Sequence, residues 1–263
     1  MMKLKDQVAI VTGGARGIGK GISLKLAEEG ADIVIATTTL EPAYEVIKAI
    51  EALGRKAIAI QTDVSQFDSV KNAVATALEK FGHIDILVNN AGGSARGKMS
   101  LFCDSEEDTW DYVLNTNLKG VFYTCRAVIN HMLEKGHGSI VNIGSVAGMI
   151  GFASQVDYSA AKGGVIAFTN ALAKETAPHG VRVNCVSPGP IRSESGRSIP
   201  PEVKAKLATN AIAMSTGFGH FGEPSDIANL VAFLASDDAK FITGQNYPVC
   251  GVMNLGLAER LSG

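Results

Sequence analysis

Residues 12–21 read TGGARGIGKG, set between the apolar run Gln7-Val8-Ala9-Ile10-Val11 and a stretch patterned as a helix. A strand, a glycine-rich turn and a helix start together make a phosphate cradle, because the first N–H groups of a helix lack partners and its dipole favours an anion. Two phosphates fit these letters. From Gly14 to Lys20 the spacing is G-x-x-x-x-G-K, most of a nucleoside triphosphate loop, whereas Thr12, Gly13, Gly17 and Gly19 make T-G-x-x-x-G-x-G, a dinucleotide turn. The triphosphate reading fails at Gly21, where a Ser or Thr hydroxyl would be needed for Mg²⁺. It weakens again downstream, since Val88 runs into Asn89-Asn90 and Ile143 into Gly144-Ser145, neither of which supplies a metal-binding Asp. The more familiar G-x-G-x-x-G spacing is absent.

Outward from this turn, short β-branched runs alternate with longer helical patterns. Strands are expected at 8–12, 33–37, 57–61, 84–88, 139–143 and 181–186, with a last one near 247–249. They read as nearly continuous apolar stretches, as strands covered on both faces do. Segments 17–29, 43–53 and 70–81 carry i, i+3, i+4 apolar spacing. Repeated β-α-β units predict an α/β fold, a Rossmann-like doubly wound parallel sheet of about seven strands with helices on both faces. No composition break divides residues 1–263, so one domain is expected, with the irregular stretch 190–222 as a substrate loop.

Composition narrows the function. At 263 residues, 46% hydrophobic and 19% charged, the chain has the make-up of a globular protein with a large core. A net charge of −2 gives no electrostatic reason to expect nucleic acid or an anionic membrane as partner. Cys103, Cys125, Cys185 and Cys250 show no C-x-x-C spacing, and reduced thiols are expected. His83, His131, His137, His179 and His220 have no metal spacing either, so no metal is expected and surface roles are assigned to them. The N-terminus leads straight into the first strand, and apolar runs such as 227–235 are far below the ~18–20 residues of a membrane span. A cytoplasmic location is the expectation.

Further motifs follow at matching places: Asn89-Asn90-Ala91-Gly92 closing the fourth strand, Ser145 ending the fifth, Tyr158 and Lys162 in Y-x-x-x-K, and Pro188-Gly189 ending the sixth. With the glycine turn, and with Ser145 thirteen residues before Tyr158, this set resembles the short-chain dehydrogenase/reductase family over residues 5–255. The turn then cradles a dinucleotide. Tyr158 and Lys162 lie four apart, so a helix presents both on one face. A free phenol titrates at ~10, and a neighbouring ammonium favours the phenolate. The resemblance makes Tyr158 the general acid/base for a ketone and a secondary alcohol, Lys162 its partner and a ligand of the ribose hydroxyls, and Ser145 the group that orients the substrate oxygen. Asn117 matches the residue that holds a water linking Lys162 to solvent.

The resemblance also implies the coenzyme contacts: Thr12, Gly13, Arg16, Gly17, Ile18 and Gly19 at the turn, Asp63 and Val64 at adenine, Asn90, Ala91 and Gly92 beside the cleft. Pro188, Gly189, Ile191 and Ser193 fall at the nicotinamide, Ser193 standing where relatives place Thr. The second strand ends in Thr37, Thr38 and Thr39 with no acid at 37, and Arg16 lies in the glycine loop. A carboxylate there would bond the ribose 2′-hydroxyl of NAD, whereas hydroxyls and an arginine suit a 2′-phosphate, so NADP(H) is favoured over NAD(H) although Glu41 is near. Substrate contacts are assigned to Ser145, Gln155 and Tyr158, with Gly93-Ser94 nearby and Arg192 and Arg197 as candidates for an anionic group.

The resemblance implies a homotetramer or homodimer packed through the helices bearing Asn117 and Tyr158. Relatives end their last strand in V-D-G-G, while this chain has Val249-Cys250-Gly251-Val252, which bears on quaternary structure. Within the oxidoreductase reading, a 3-oxoacyl thioester reductase and a sugar or polyol dehydrogenase, the latter NAD-dependent, both stay open. From another class, a coenzyme-sensing binding module without turnover is the alternative, against which stands the presence of both Tyr158 and Lys162.

Overall fold

The structure, a computed structural model, describes residues 2–94, 98–192 and 215–256. Seven parallel strands form one sheet in the order β3-β2-β1-β4-β5-β6-β7. They are β1 (Val8–Thr12), β2 (Asp32–Thr37), β3 (Ala57–Gln61), β4 (Ile86–Asn89), β5 (Gly138–Ile143), β6 (Val181–Pro188) and β7 (Asn246–Val249). The helices are α1 (Gly17–Glu28), α2 (Glu41–Ala52), α3 (Phe67–Phe81), α4 (Glu107–Leu114), α5 (Gly120–Lys135), the short α6 (Ala147–Ile150), α7 (Val156–Thr176) and α8 (Pro224–Ala235).

Strand periodicity distributes side chains between two apolar layers. Ala9, Val11, Ile33, Ile35, Ile86 and Val88 join α1, α2 and α8 on one face. Val8, Ile10, Val34, Ala36 and Leu87 join α3, α5 and α7 on the other. Parallel strands buried on both faces need helical crossovers, and the near-continuous apolar strand sequences have that cause. Gly21, where a triphosphate loop needs a hydroxyl, has another use: a Cβ there would lie 2.9 Å from Pro224 Cβ, so its absence lets α1 approach the start of α8.

Several boundaries differ from the pattern reading. β4 is displaced from 84–88 and ends on the polar Asn89, which pairs in the sheet with Asn142. β6 continues through Ser187 to Pro188. α3 begins at Phe67, three residues before the apolar period becomes visible at Val70. His131 is not a surface residue: it is half-buried, and its Nε2 accepts the Ile84 N–H at 3.2 Å. The order of strands reverses direction between β1 and β4, and the crevice above the carboxyl ends at such a switch is where open α/β sheets bind ligands.

Candidate active site

At that switch the two loops are stitched together. Thr12 Oγ1 donates to Val88 O at 3.3 Å and accepts the N–H groups of Asn90 and Ala91, both at 3.0 Å. Asn90 Nδ2 donates back to Thr12 O at 3.0 Å and Gly13 O at 3.3 Å. Thr12 is thus a buried brace beneath the cleft rather than part of its lining. Gly13 holds φ +63°, and a Cβ on Gly19 would run into Gly13 O and Asn90 Nδ2. The turn is therefore compressed against β4 in a form that needs glycine at both positions, and the bare N-terminus of α1 opens into the cleft.

The cleft has a volume of about 360 Å³ and brings together Gly13, Arg16, Gly17, Ile18, Gly19, Asn90, Ala91, Gly92, Ser145, Tyr158, Lys162, Pro188, Gly189 and Ile191. Gly93, a pocket candidate from the sequence, also lines it; Ile143 and Gly144 line it too and were missed, because a glycine or an apolar strand end carries no chemical signature in the sequence. Thr37, Thr38, Asp63 and Val64 stand at the ends of β2 and β3, outside this lining. Thr37 Oγ1 is engaged locally, donating to Thr39 O at 3.3 Å and accepting its N–H at 3.5 Å. Asp63 Oδ1 caps a turn through the Ser65 N–H and hydroxyl, and Val64 packs where a Cβ on Gly120 would reach.

Gln155 does not line the main cleft. It borders an adjacent hollow with Ser94, Trp110 and Asp157, where Thr109 Oγ1 is buried without a hydrogen-bond partner. Arg192 pairs with Glu223 at 3.3 Å, and Ser193 and Arg197 lie outside the described residues. Ile191 forms a parallel bridge with Gly222.

Asn117 sits in a π-helical turn, Asn115–Lys119, between α4 and α5. Such turns widen the backbone and recur at functional positions. Fully buried, Asn117 donates from Nδ2 to Gly93 O at 3.0 Å and Val113 O at 2.9 Å, and accepts the Gly93 N–H on Oδ1 at 2.9 Å. Its amide locks the turn after Gly92, where a Cβ would clash with that same Oδ1. No sequence period announces the π turn.

Lys162 is 4% exposed, and its Nζ donates to Ile143 O at 2.8 Å. Burial pushes its ammonium down to about 8, with Cys185 opposing. Nζ stands 5.8 Å from the centroid of the Tyr158 ring. Ser145 Oγ accepts the Ala147 N–H at 3.1 Å, which leaves its own proton available for an oxygen in the cleft. A phenol, a hydroxyl donor and a buried cation thus line the same cleft as the start of α1. Among the described residues no group of His, Cys, Asp and Glu could hold a metal, and no helix is long and apolar enough to cross a membrane.

Comparison with known proteins agrees with this arrangement. The family model described as short chain dehydrogenase matches residues 7–204. The chain is 42% identical over 246 residues to a 3-oxoacyl-[acyl-carrier-protein] reductase of Staphylococcus aureus, covering 93% of this chain and 97% of that one. It is 39% identical over 254 residues to the (2S)-[(R)-hydroxy(phenyl)methyl]succinyl-CoA dehydrogenase subunit BbsD of Thauera aromatica, covering 97% and 99%. Among solved structures it resembles levodione reductase, at 32% identity and TM-score 0.91 over 97% of this chain and 100% of the other. It also resembles a carveol dehydrogenase from Mycobacterium avium in complex with NAD, at 31% identity and TM-score 0.88 over 95% and 98%.

Proposed function

The chain belongs to the short-chain dehydrogenase/reductase family of oxidoreductases acting on CH–OH groups, and from that premise we propose that it interconverts a ketone and a secondary alcohol with NADP(H), Tyr158 being the general acid and base. One observation carries this reading: the buried Lys162 ammonium lies 5.8 Å from the Tyr158 ring inside the cleft that holds Ser145 and the glycine turn. The coenzyme supplies or accepts the hydride. Everything else falls to the protein. Lys162 favours the phenolate and so brings the Tyr158 proton nearer to working pH. Tyr158 gives that proton to the carbonyl oxygen in reduction and removes it from the alcohol in oxidation. Ser145 donates to the same oxygen and orients it.

The turn from Gly13 to Gly19 fits a pyrophosphate, since a side chain at Gly19 would fill the space in which backbone and helix start converge. Asp63 and Val64 would meet adenine, and Pro188, Gly189, Ile191 and Ser193 the nicotinamide. NADP(H) is preferred because β2 ends in Thr37 rather than a carboxylate, while exposed Arg16 stands at the start of α1. The local turn that engages the Thr37 hydroxyl supports NAD(H) as the second reading. Of the two substrate classes, 3-oxoacyl thioesters come before sugars and polyols: the Staphylococcus and Thauera relatives are both named for thioester substrates. A second copy would pack on α5 and α7, where Phe122, 47% exposed, packs tilted against Phe168 with centroids 4.3 Å apart. A cytoplasmic homotetramer or homodimer is the form proposed.

The test follows nicotinamide absorbance with NADPH and NADH over 3-oxoacyl thioesters, simple ketones and keto-sugars, with Tyr158→Phe alongside. Turnover faster with NADPH, and lowered roughly 10²–10⁴-fold in the variant, is expected. Coenzyme binding without turnover across the panel would favour a sensing module instead.

A further inference from the structure

Beneath the cleft a chain of buried polar side chains crosses the apolar layer between α5, the sheet and α7. Thr124 Oγ1 on α5 donates to Asn89 Oδ1 at 2.6 Å, and Asn89 Nδ2 donates to Asn142 Oδ1 at 2.8 Å. Asn142 Nδ2 donates to Thr169 Oγ1 at 2.9 Å, and Thr169 donates to Val165 O at 2.8 Å. All four side chains are buried, from 0% to 4% exposed. Every link runs in the same sense, so each bond polarises the next.

Packing alone does not require these groups. Their surroundings are Val121, Val128, Val165 and Ala173, and apolar residues of similar size would fill the space without the cost of burying amides. What apolar contact lacks is direction: α7 meets the sheet through Ala161, Val165 and Ala173, small groups over which a helix can rotate or slide. Polar pins stop that. Thr176 Oγ1 on Val181 O holds the carboxyl end of α7, and nearer the cleft stand Lys162 Nζ on Ile143 O and Asn142 Nδ2 on Thr169. These last two use consecutive residues of β5 and lie seven residues apart on α7, about 10 Å along the axis. The lysine pin by itself is slack, because a long flexible stem can follow a carbonyl through a range of helix positions. The amide pin is short. At its far end Asn89 adjoins Asn90, which is bonded to the glycine turn, so α7 is referenced to the same strand end as the phosphate cradle.

We propose that Thr169 and Asn142, backed by Asn89 and Thr124, are positioning residues that set the register of α7 over β5 and hence where the Tyr158 ring stands relative to Lys162 Nζ, whose head stays with Ile143 O. The inference rests on the functional reading above, in which that placement tunes the phenol. Within the cleft the titratable side chains are Arg16 from the start of α1, Tyr158 and Lys162, and Cys185 of β6 lies behind Lys162.

The phenolate absorbance of Tyr158, taken as the ultraviolet difference between each protein and its Tyr158→Phe counterpart over a pH titration, reads this directly and needs no substrate. Thr169→Val should raise the Tyr158 midpoint by about one pH unit, roughly a tenfold loss of phenolate at a given pH, and Thr169→Ser should restore it. Thr169→Ala removes the same hydroxyl while favouring helix, and decides the matter where the valine variant does not fold. Variants that lose thermal stability but titrate within about 0.2 of a lowered wild-type midpoint would overturn the positioning role alone. A wild-type midpoint at the ordinary ~10 would overturn the functional reading and this role with it.

Discussion

The two ends of the sheet treat buried charge in opposite ways. At the amino ends of the strands, Asp85 is 4% exposed and surrounded by partners: Lys135 Nζ bonds its Oδ1, the Val8 N–H donates to Oδ2 at 2.8 Å, and His83 lies 3.3 Å away. Arg182, also at this end, caps α8 by donating to Leu234 O at 2.6 Å and to Ala235 O and Ser236 O at 3.2 Å. At the carboxyl ends Lys162 is buried as deeply, yet it is anchored by a carbonyl, with no carboxylate salt bridge among the described residues. One end surrounds its charges with partners, Asp85 with cations and Arg182 with three carbonyls, and holds the fold together. The other keeps a cation underpaired beside a phenol, an arrangement that weakens the fold and suits proton transfer.

That contrast can be broken residue by residue. Asp85→Ala should have the largest effect on folding, about 3–4 kcal/mol in urea unfolding, because it leaves Lys135 and the Val8 N–H without their partner. Coenzyme affinity should be unchanged; a matching loss of coenzyme binding would show that the two ends are not separable. Arg182→Met should cost about 2 kcal/mol by uncapping the carboxyl end of α8, where a cation opposes the helix dipole, again with kinetics intact. The smallest effect expected is a gain. Val252 occupies the left-handed region at φ +64°, and Val252→Gly should stabilise by about 1 kcal/mol in thermal unfolding, since a β-branched side chain is strained there. Unchanged stability would mean that nearby packing offsets the strain.

The layered fold and most of the cleft were legible in the sequence because both rest on local chemistry: apolar strand runs, glycines where the backbone turns, and the Y-x-x-x-K spacing on one helix face. What escaped notice depends on contacts distant in sequence. Asn89 and Asn142 read as the polar ends of strands, and nothing in a strand period pairs them with each other or with Thr124 and Thr169. His131 looked like a helix-surface residue until β4 brought the Ile84 N–H to it. Asn117 was singled out in the sequence but not as the lock on Gly93, because a π turn breaks the helical period that a sequence pattern follows. Gln155 was assigned to the substrate by family resemblance, whereas it borders the adjoining hollow, next to Ser154 at φ +62°.

On the proposed function Lys162 is kept charged and buried at a cost in stability, a cost that Lys162→Met removes. Lys162 titrates at about 8 in the fold against 10.5 ordinarily, so the unfolded chain binds more protons between those values and stability rises with pH across that window. Below about pH 8 the penalty is full, roughly 3 kcal/mol at 1.36 per pH unit, less about 1 for the bond to Ile143 O. Equilibrium unfolding at pH 7 should therefore find Lys162→Met about 2 kcal/mol more stable than the wild type, with the gap closing toward pH 10.5 and turnover lost. A variant less stable than the wild type at pH 7 would show that the Lys162 charge does not weaken the fold, and one that still turns over at the wild-type rate would show that the charge is not needed for turnover.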